Sequence, residues 1–194
     1  MIPVYSPLQE NSCATFEPIN FNMNSELLAL ADRVGTLLKA RQETVAVAES
    51  STGGLIAAAL LSVPGASAYF LGGAVVYTRR ARALLMGLDK QSVTGMRSSS
   101  EPYAVLLAQT SQKRFAASWG ISETGASGPT GNAYGDAAGH SCLAVAGQVN
   151  NTIIEKVITL ETGQTDRMSN MNAFAIASLS LLESALTSHP ISTS

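Results

Sequence analysis

Charge is scarce in this chain. Asp, Glu, Lys and Arg make up 13% of its 194 residues and leave a formal balance of −2, whereas roughly a quarter of a typical globular domain is charged. Basic residues gather only at Arg79-Arg80-Ala81-Arg82, which gives no electrostatic footprint for a nucleic-acid partner. A cluster that small reads as a solvated helix start or as the seat of a local anion. Histidine is nearly absent, with His140 and His189 alone, so a His-rich metal centre is excluded. Cysteine is reduced to Cys13 and Cys142, far apart and without metal spacing. They leave room for one disulfide, but a reduced, intracellular chain is the better reading. No apolar run approaches the ~20 residues that cross a bilayer, and Met1 to Met23 lacks the basic-then-apolar order of a signal peptide. The expectation is a cytoplasmic chain without a membrane partner.

Apolar residues, by contrast, are plentiful at 46%. That is enough for one domain with a sizeable core. So weakly charged a composition also leads us to expect self-association into a homo-oligomer.

Residues 1–23 carry Pro3, Pro7 and Pro18 with no apolar period and read as an irregular tail or docking arm. A single α/β domain is expected over 24–188, with a short tail at 189–194. Leu27, Leu30, Ala31, Val34, Leu37 and Leu38 fall on one face at helical spacing, with Asn24 or Ser25 as N-cap and an end near Arg41. Thr44 to Glu49 is a strand apolar on both faces, as in a sheet covered by helices on each side. Gly54 to Ser62 is helical, Val63 to Ser67 a turn, and Ala68 to Thr78 holds a second strand centred on Ala74 to Tyr77. Arg80 to Met86 forms a short helix stopped by Gly87, and Gln91 to Ser99 a loop. A helix starts at Ser100-Glu101-Pro102 and runs to about Ser118, with Trp119 on its apolar stripe. Gly120 to Thr124 is a weak strand, interrupted by Ser122 and Glu123. Ser141 to Ala146 and Thr152 to Leu160 are strands joined by a turn over Gly147 to Asn151, and a last helix spans about Asp166 to Thr187. This alternation predicts a three-layer α/β/α sandwich around a mostly parallel, mixed sheet with one antiparallel pairing.

Two stretches invite chemistry. Val45 to Glu49 ends in Ser50, Ser51, Thr52, Gly53 and Gly54 before the apolar helix, a strand-to-helix turn of the kind that offers backbone N–H groups to an anion. The bland alternative is an ordinary Gly-rich turn. Gly125 to Gly139 is a glycine-rich loop with Pro129, and a loop that long inside a compact domain is usually either functional or disordered.

The residues at these stretches carry a resemblance. Ala48-Glu49-Ser50-Ser51-Thr52-Gly53-Gly54 is similar to the Ala-Glu-Ser-Cys-Thr-Gly-Gly signature of the C-terminal domain of competence/damage-inducible protein CinA. Val63-Pro64-Gly65-Ala66-Ser67 with Phe70, Gly73 and Tyr77, then Ser100-Glu101, then Thr124-Gly125-Ala126-Ser127-Gly128-Pro129, and finally Asp166-Arg167 match further motifs of that family in the same order. The resemblance covers about residues 25–187. It implies a three-layer α/β/α domain standing alone, without the N-terminal domain of larger members. It also implies hydrolysis of the amide of a small-molecule pyridine nucleotide, nicotinamide mononucleotide, with no cofactor and no metal.

The family works with a serine, a tyrosine and a lysine. The serine falls on Ser50 and the tyrosine on Tyr77, but the lysine position holds Arg82. A serine hydroxyl needs a neighbour to take its proton. A desolvated lysine can do so, whereas arginine keeps its own proton at any working pH. Arg82 can still bind a phosphate, orient a carboxamide or support Tyr77 by its charge. The loop after Gly128-Pro129 also departs from the family's Asp-Gly-Gly, the strand start at His140 lacks its proline, and Met171 replaces an arginine.

Each residue also has a plain structural role to set against these. Ser50 and Ser51 can cap the following helix, Glu49 can satisfy backbone donors, and Tyr77 can be a core ring. Against those plain roles, Glu49 and Ser51 are also expected to contact substrate, beside Thr52, Gly53 and Gly54 as the expected phosphate cradle, joined by Thr124, Gly125 and Gly128 from the second loop. Arg167 is a candidate for a ligand phosphate or carboxylate. His140 could supply the base that Arg82 cannot, although a lone histidine at a strand start is more often hydrogen-bonded structure. The alternative to an amidohydrolase is a catalytically impaired relative that binds a nucleotide or a protein partner without chemistry.

Overall fold

A computed structural model describes residues 23–190. The tails expected over 1–22 and 191–194 lie outside the described residues, as does Cys13.

The first helix, α1 (Ser25–Arg41), opens at Asn24, whose Oδ1 accepts from the N–H groups of Glu26 and Leu27. Its buried stripe of Leu27, Leu30, Ala31, Val34 and Leu38 is the one read from the spacing. Next come β1 (Val45–Glu49), α2 (Leu55–Ser62), β2 (Phe70–Val75), α3 (Arg79–Met86) and α4 (Glu101–Phe115). The chain closes with β3 (Trp119–Ala126), β4 (His140–Val149), β5 (Thr152–Glu161) and α5 (Arg167–Ser188). The sheet order is β2-β1-β3-β4-β5. Strands β1, β2 and β3 are parallel, while β3–β4 and β4–β5 are both antiparallel. Four strands therefore point one way and β4 the other, a mixed sheet with one antiparallel step more than expected.

The two faces of the sheet are built from different residue sizes. Val45, Val47, Trp119, Ile121, Leu143 and Val145 meet α1, α2 and α5 in the main core. Ala48, Cys142, Ala144 and Ala146 turn the other way, toward α4. A Cβ at Gly120 would sit 2.0 Å from the carbonyl oxygen of Ala108, so α4 lies against the sheet at glycine distance. Each large side chain fully buried in the main core contributes about 1.5–3 kcal/mol relative to an exposed one.

Three boundaries differ from the sequence reading. Helix α4 stops at Phe115, because Ala116 adopts a left-handed conformation (φ 50°) and closes the helix through its N–H. Trp119 consequently leaves the helix and is buried in β3, its indole N–H donating to Glu43 Oε2 at 2.7 Å. The strand centred on Ala74 to Tyr77 is displaced toward the N-terminus: β2 ends at Val75, and Val76 makes one last bond to the Glu49 carbonyl (2.7 Å) before the chain turns out. The β4–β5 turn shrinks to Asn150-Asn151, with φ of 48° and 64°, the pair of left-handed residues that a two-residue hairpin requires. Gly147 belongs to β4, where a Cβ would meet the Trp119 ring at 2.3 Å.

Candidate active site

In open α/β sheets ligands settle outside the carboxyl ends of the parallel strands. Here Ser50 follows β1, Tyr77 lies just past β2, and Thr124 and Gly125 lie near the end of β3. Together with Arg82 they line one cleft of about 210 Å³, completed by Val76, Thr78, Arg79, Ser98, Ser99, Tyr103, Asn132 and Tyr134. The fold thus brings together the three residues assigned to catalysis.

Ser50 is held by a carboxylate that the sequence reading passed over as a flaw in a weak strand. Glu123 is fully buried in β3. Its Oε2 accepts from the N–H groups of Ser50 and Thr52, both at 3.0 Å, and its Oε1 from the Ser51 and Ser141 hydroxyls. Ser51 is therefore turned inward. Its signal was available, since a charge inside an otherwise buried strand needs partners.

Glu49, also fully buried, takes the opposite end of the turn. Its Oε2 accepts from the Thr52 hydroxyl at 2.7 Å and from the Ile56 N–H at 3.1 Å, and its Oε1 from the Ala57 N–H at 3.1 Å. Burial pushes its carboxyl pKa up against these bonds, and the neighbouring charge of Glu123 adds to the rise. The start of α2 is thus capped from within. The Gly53 N–H goes to Ser50 O and the Leu55 N–H to Thr52 O, while Met171 lies over Gly53, 3.2 Å from where a Cβ would stand. Thr52 is fully buried. In the anion cradle expected at Thr52, Gly53 and Gly54 the N–H groups of Thr52 and Gly53 are taken by protein acceptors, and the three residues line no part of the Ser50 cleft.

Tyr77 is 61% exposed and stands between two chambers, not in the core. The second chamber, about 200 Å³, is lined by Ser51, Gly125 to Gly128, Thr130 to Asn132 and Arg167. Arg167 Nη1 donates to the Gly128 carbonyl at 2.7 Å, so this cation ties the glycine loop to the start of α5. Ser127, in the same wall, has a buried hydroxyl oxygen with no partner among the described residues. Gly128 (φ 101°) is glycine for backbone reasons, since a Cβ would lie 2.6 Å from Thr165 O.

Arg82 is buried, 7% exposed, with Nε donating to Leu88 O at 2.9 Å and its guanidinium 6.0 Å from the Tyr103 ring centroid. It reaches the cleft as a fixed charge. Tyr134, missed in the sequence reading, faces it across that cleft. Its phenol is held below the ordinary tyrosine range by the side chains of Ser98 and Arg79, with the charges of Arg79 and Arg82 adding to the effect.

His140 lies outside the cleft. Nε2 is 3.0 Å from Ser99 O and Nδ1 2.5 Å from Glu161 Oε1, with Asp136 at 3.8 Å. Both ring nitrogens are engaged as donors, the pattern of an imidazolium. Burial alone would lower its pKa, but Glu161, the Ser99 carbonyl and Asp136 together raise it. The structural role prevails over the base role. Among the described residues no three His, Cys, Asp or Glu side chains group as a metal site, and no helix is long and apolar enough to cross a membrane.

Comparison with known proteins agrees with this architecture. A CinA-like protein of Chlorobium limicola is 35% identical over 151 residues, 77% of this chain and 35% of that protein. One of Synechococcus sp. is 40% identical over 119 residues, 61% of this chain and 28% of that protein. The chain thus spans about a third of the length of the curated relatives it matches. Among solved structures, the competence/damage inducible protein CihA of Agrobacterium tumefaciens superposes with a TM-score of 0.75 at 28% identity, covering 86% of this chain and 98% of that one. A CinA superfamily protein of Klebsiella pneumoniae superposes at 0.74 with 22% identity over 86% and 99%, a likeness of fold. Residues 27–186 match the CinA C-terminal domain family, and the chain belongs to it.

Proposed function

We propose that this protein is an amidohydrolase that converts nicotinamide mononucleotide and water to nicotinic acid mononucleotide and ammonia. The observation that carries this reading is the convergence of Ser50, Tyr77 and Arg82 on one cleft at the carboxyl ends of three parallel strands.

Glu123 fixes the backbone at Ser50 and Thr52 and so aims the serine. In the first step Ser50 Oγ bonds to the carboxamide carbon, and the C–N bond breaks. The serine proton passes by way of Tyr77 to the leaving nitrogen, which departs as ammonia, leaving an acyl ester on Ser50. Water then attacks that ester and restores the serine. Arg82 supplies charge without taking a proton. Tyr134, on the opposite wall, presents its hydroxyl to the ligand beside Arg79 and Arg82. The ligand phosphate points to the Arg79 side of the cleft, because the start of α2 is closed by Glu49.

The test is ammonia release from nicotinamide mononucleotide. Turnover is expected, lost in Ser50→Ala and lowered at least ~100-fold in kcat by Tyr77→Phe, as for a removed proton-transfer group. No release at high enzyme concentration rejects the reading. The tethering of Arg82 to backbone carbonyls favours a second one, a binder without chemistry. Activity gained only in Arg82→Lys would establish that alternative.

A further inference from the structure

Beside the Ser50 cleft lies a larger one, about 630 Å³, lined by Arg79, Arg80, Arg82, Lys90 and Arg97. These are five of the chain's 12 Lys and Arg residues, concentrated at one place in a molecule of net charge −2. Asp89 is the one acidic residue in its wall, and its carboxylate is engaged by the Ser92 N–H and hydroxyl, both at 2.8 Å. Arg97 is paired with Asp136. Arg80 and Lys90 have no acidic partner among the described residues.

The local fold makes this clustering costly. Three arginines occupy the first four positions of α3, whose first turn has no acidic residue. Cations there oppose the helix dipole as well as one another. An anion seated in the cleft relieves both conflicts.

The two clefts adjoin, since Arg79, Arg82, Ser98 and Tyr134 line each of them. The inner one, at about 210 Å³, is smaller than the ~300–1,000 Å³ usual for a small-molecule site. Joined to the outer one it falls inside that range. A single phosphate is satisfied by one or two charged forks. That leaves Arg80 and Lys90 for a second phosphate beyond the one near Arg79.

We propose that the joined clefts form one site for a nucleotide bearing a diphosphate, with its amide-carrying ring at Ser50 and the diphosphate across Arg79, Arg80, Lys90 and Arg97. The placement of the ring rests on the amidohydrolase reading, and that of the diphosphate does not. The test is calorimetry at one low ionic strength with four probes: nicotinamide mononucleotide, nicotinamide adenine dinucleotide, inorganic orthophosphate and inorganic diphosphate. The dinucleotide is expected to bind about tenfold tighter than the mononucleotide, the equivalent of one added charge-assisted contact, and diphosphate tighter than orthophosphate. In the Arg80→Ala/Lys90→Ala variant, checked for an unchanged melting temperature, both preferences vanish.

Equal binding of the two nucleotides, or of the two inorganic ions, overturns the proposal. So does a variant that keeps both preferences. If diphosphate binding depends on Arg80 and Lys90 but no amide is hydrolysed, the amidohydrolase reading fails and the anion seat stands. Hydrolysis lost in Ser50→Ala with no diphosphate preference is the reverse outcome.

Discussion

At the scale of single residues, Glu123 matters more than any side chain singled out from the motifs. Fully buried, it accepts from two N–H groups and from the Ser51 and Ser141 hydroxyls, with the Thr52 hydroxyl also 3.0 Å from its Oε2. Glu123→Gln keeps its shape but turns a donor toward partners that are themselves donors. A loss of about 2 kcal/mol is expected, read as a lowered urea midpoint with unchanged slope. A midpoint equal to wild type would show the carboxylate to be dispensable. His140 gives a pH signature. Its native pKa is raised, so its contribution is complete below the ~6.5 of an unfolded histidine and is lost as pH rises through the native value. Its neighbour Asp136 is lowered, chiefly by Arg97, so that contribution holds above the ~3.9 of an unfolded Asp and is lost as pH falls through the native value. The free energy of unfolding measured across pH should decline on the alkaline side in wild type and stay flat there in His140→Gln; identical profiles would remove the histidine from the account.

At the scale of elements, patterning made much of the fold legible. The α1 stripe, the both-faces-apolar β1 and the long α5 were all written in spacing. The ends that went astray share one cause: they are set by tertiary contact, not by propensity. Trp119 looks like the last turn of a helix until it pairs with Gly147 across β3 and β4 and finds Glu43 for its indole N–H. The candidate site was legible only as identities. Ser50, Tyr77 and Arg82 could be named from motifs, but no local pattern says that Glu49 folds back over the start of α2, or that Tyr134 crosses to meet Arg79. The packing of α4 also gives a sharp prediction. Gly120→Ala places a methyl 2.0 Å from the Ala108 carbonyl oxygen, so α4 must lift. Overpacking of this kind costs about 1–3 kcal/mol. Since α4 carries Tyr103 beneath Arg82, ligand affinity should fall along with the melting temperature. A fully stable variant with wild-type affinity would contradict the close approach.

At the scale of the whole molecule, the two edges of the sheet differ. Edge strand β5 carries Glu155, Lys156 and Glu161, the usual protection against edge pairing. Edge strand β2, Phe-Leu-Gly-Gly-Ala-Val, carries no charge and exposes Leu71 and Val75. If the chain self-associates as its composition leads us to expect, β2 is the edge that would receive β2 of a second copy. Light scattering is expected to give a dimer that Leu71→Lys converts to monomer; a wild-type monomer at high concentration would remove this edge from consideration. The internal cap on α2 reaches further than the turn it closes. A helix start that meets a phosphate with fixed N–H groups holds it at short range and changes little with added salt. Here that fixed polar end is occupied by Glu49, and the anion of the proposed site would be left to long arginine and lysine arms. Their pull fades over ~8 Å at physiological ionic strength. Ligand choice in this protein should therefore depend on the salt around it, with phosphate count ranking ligands in dilute buffer and the fit of the ring at Ser50 ranking them in concentrated salt.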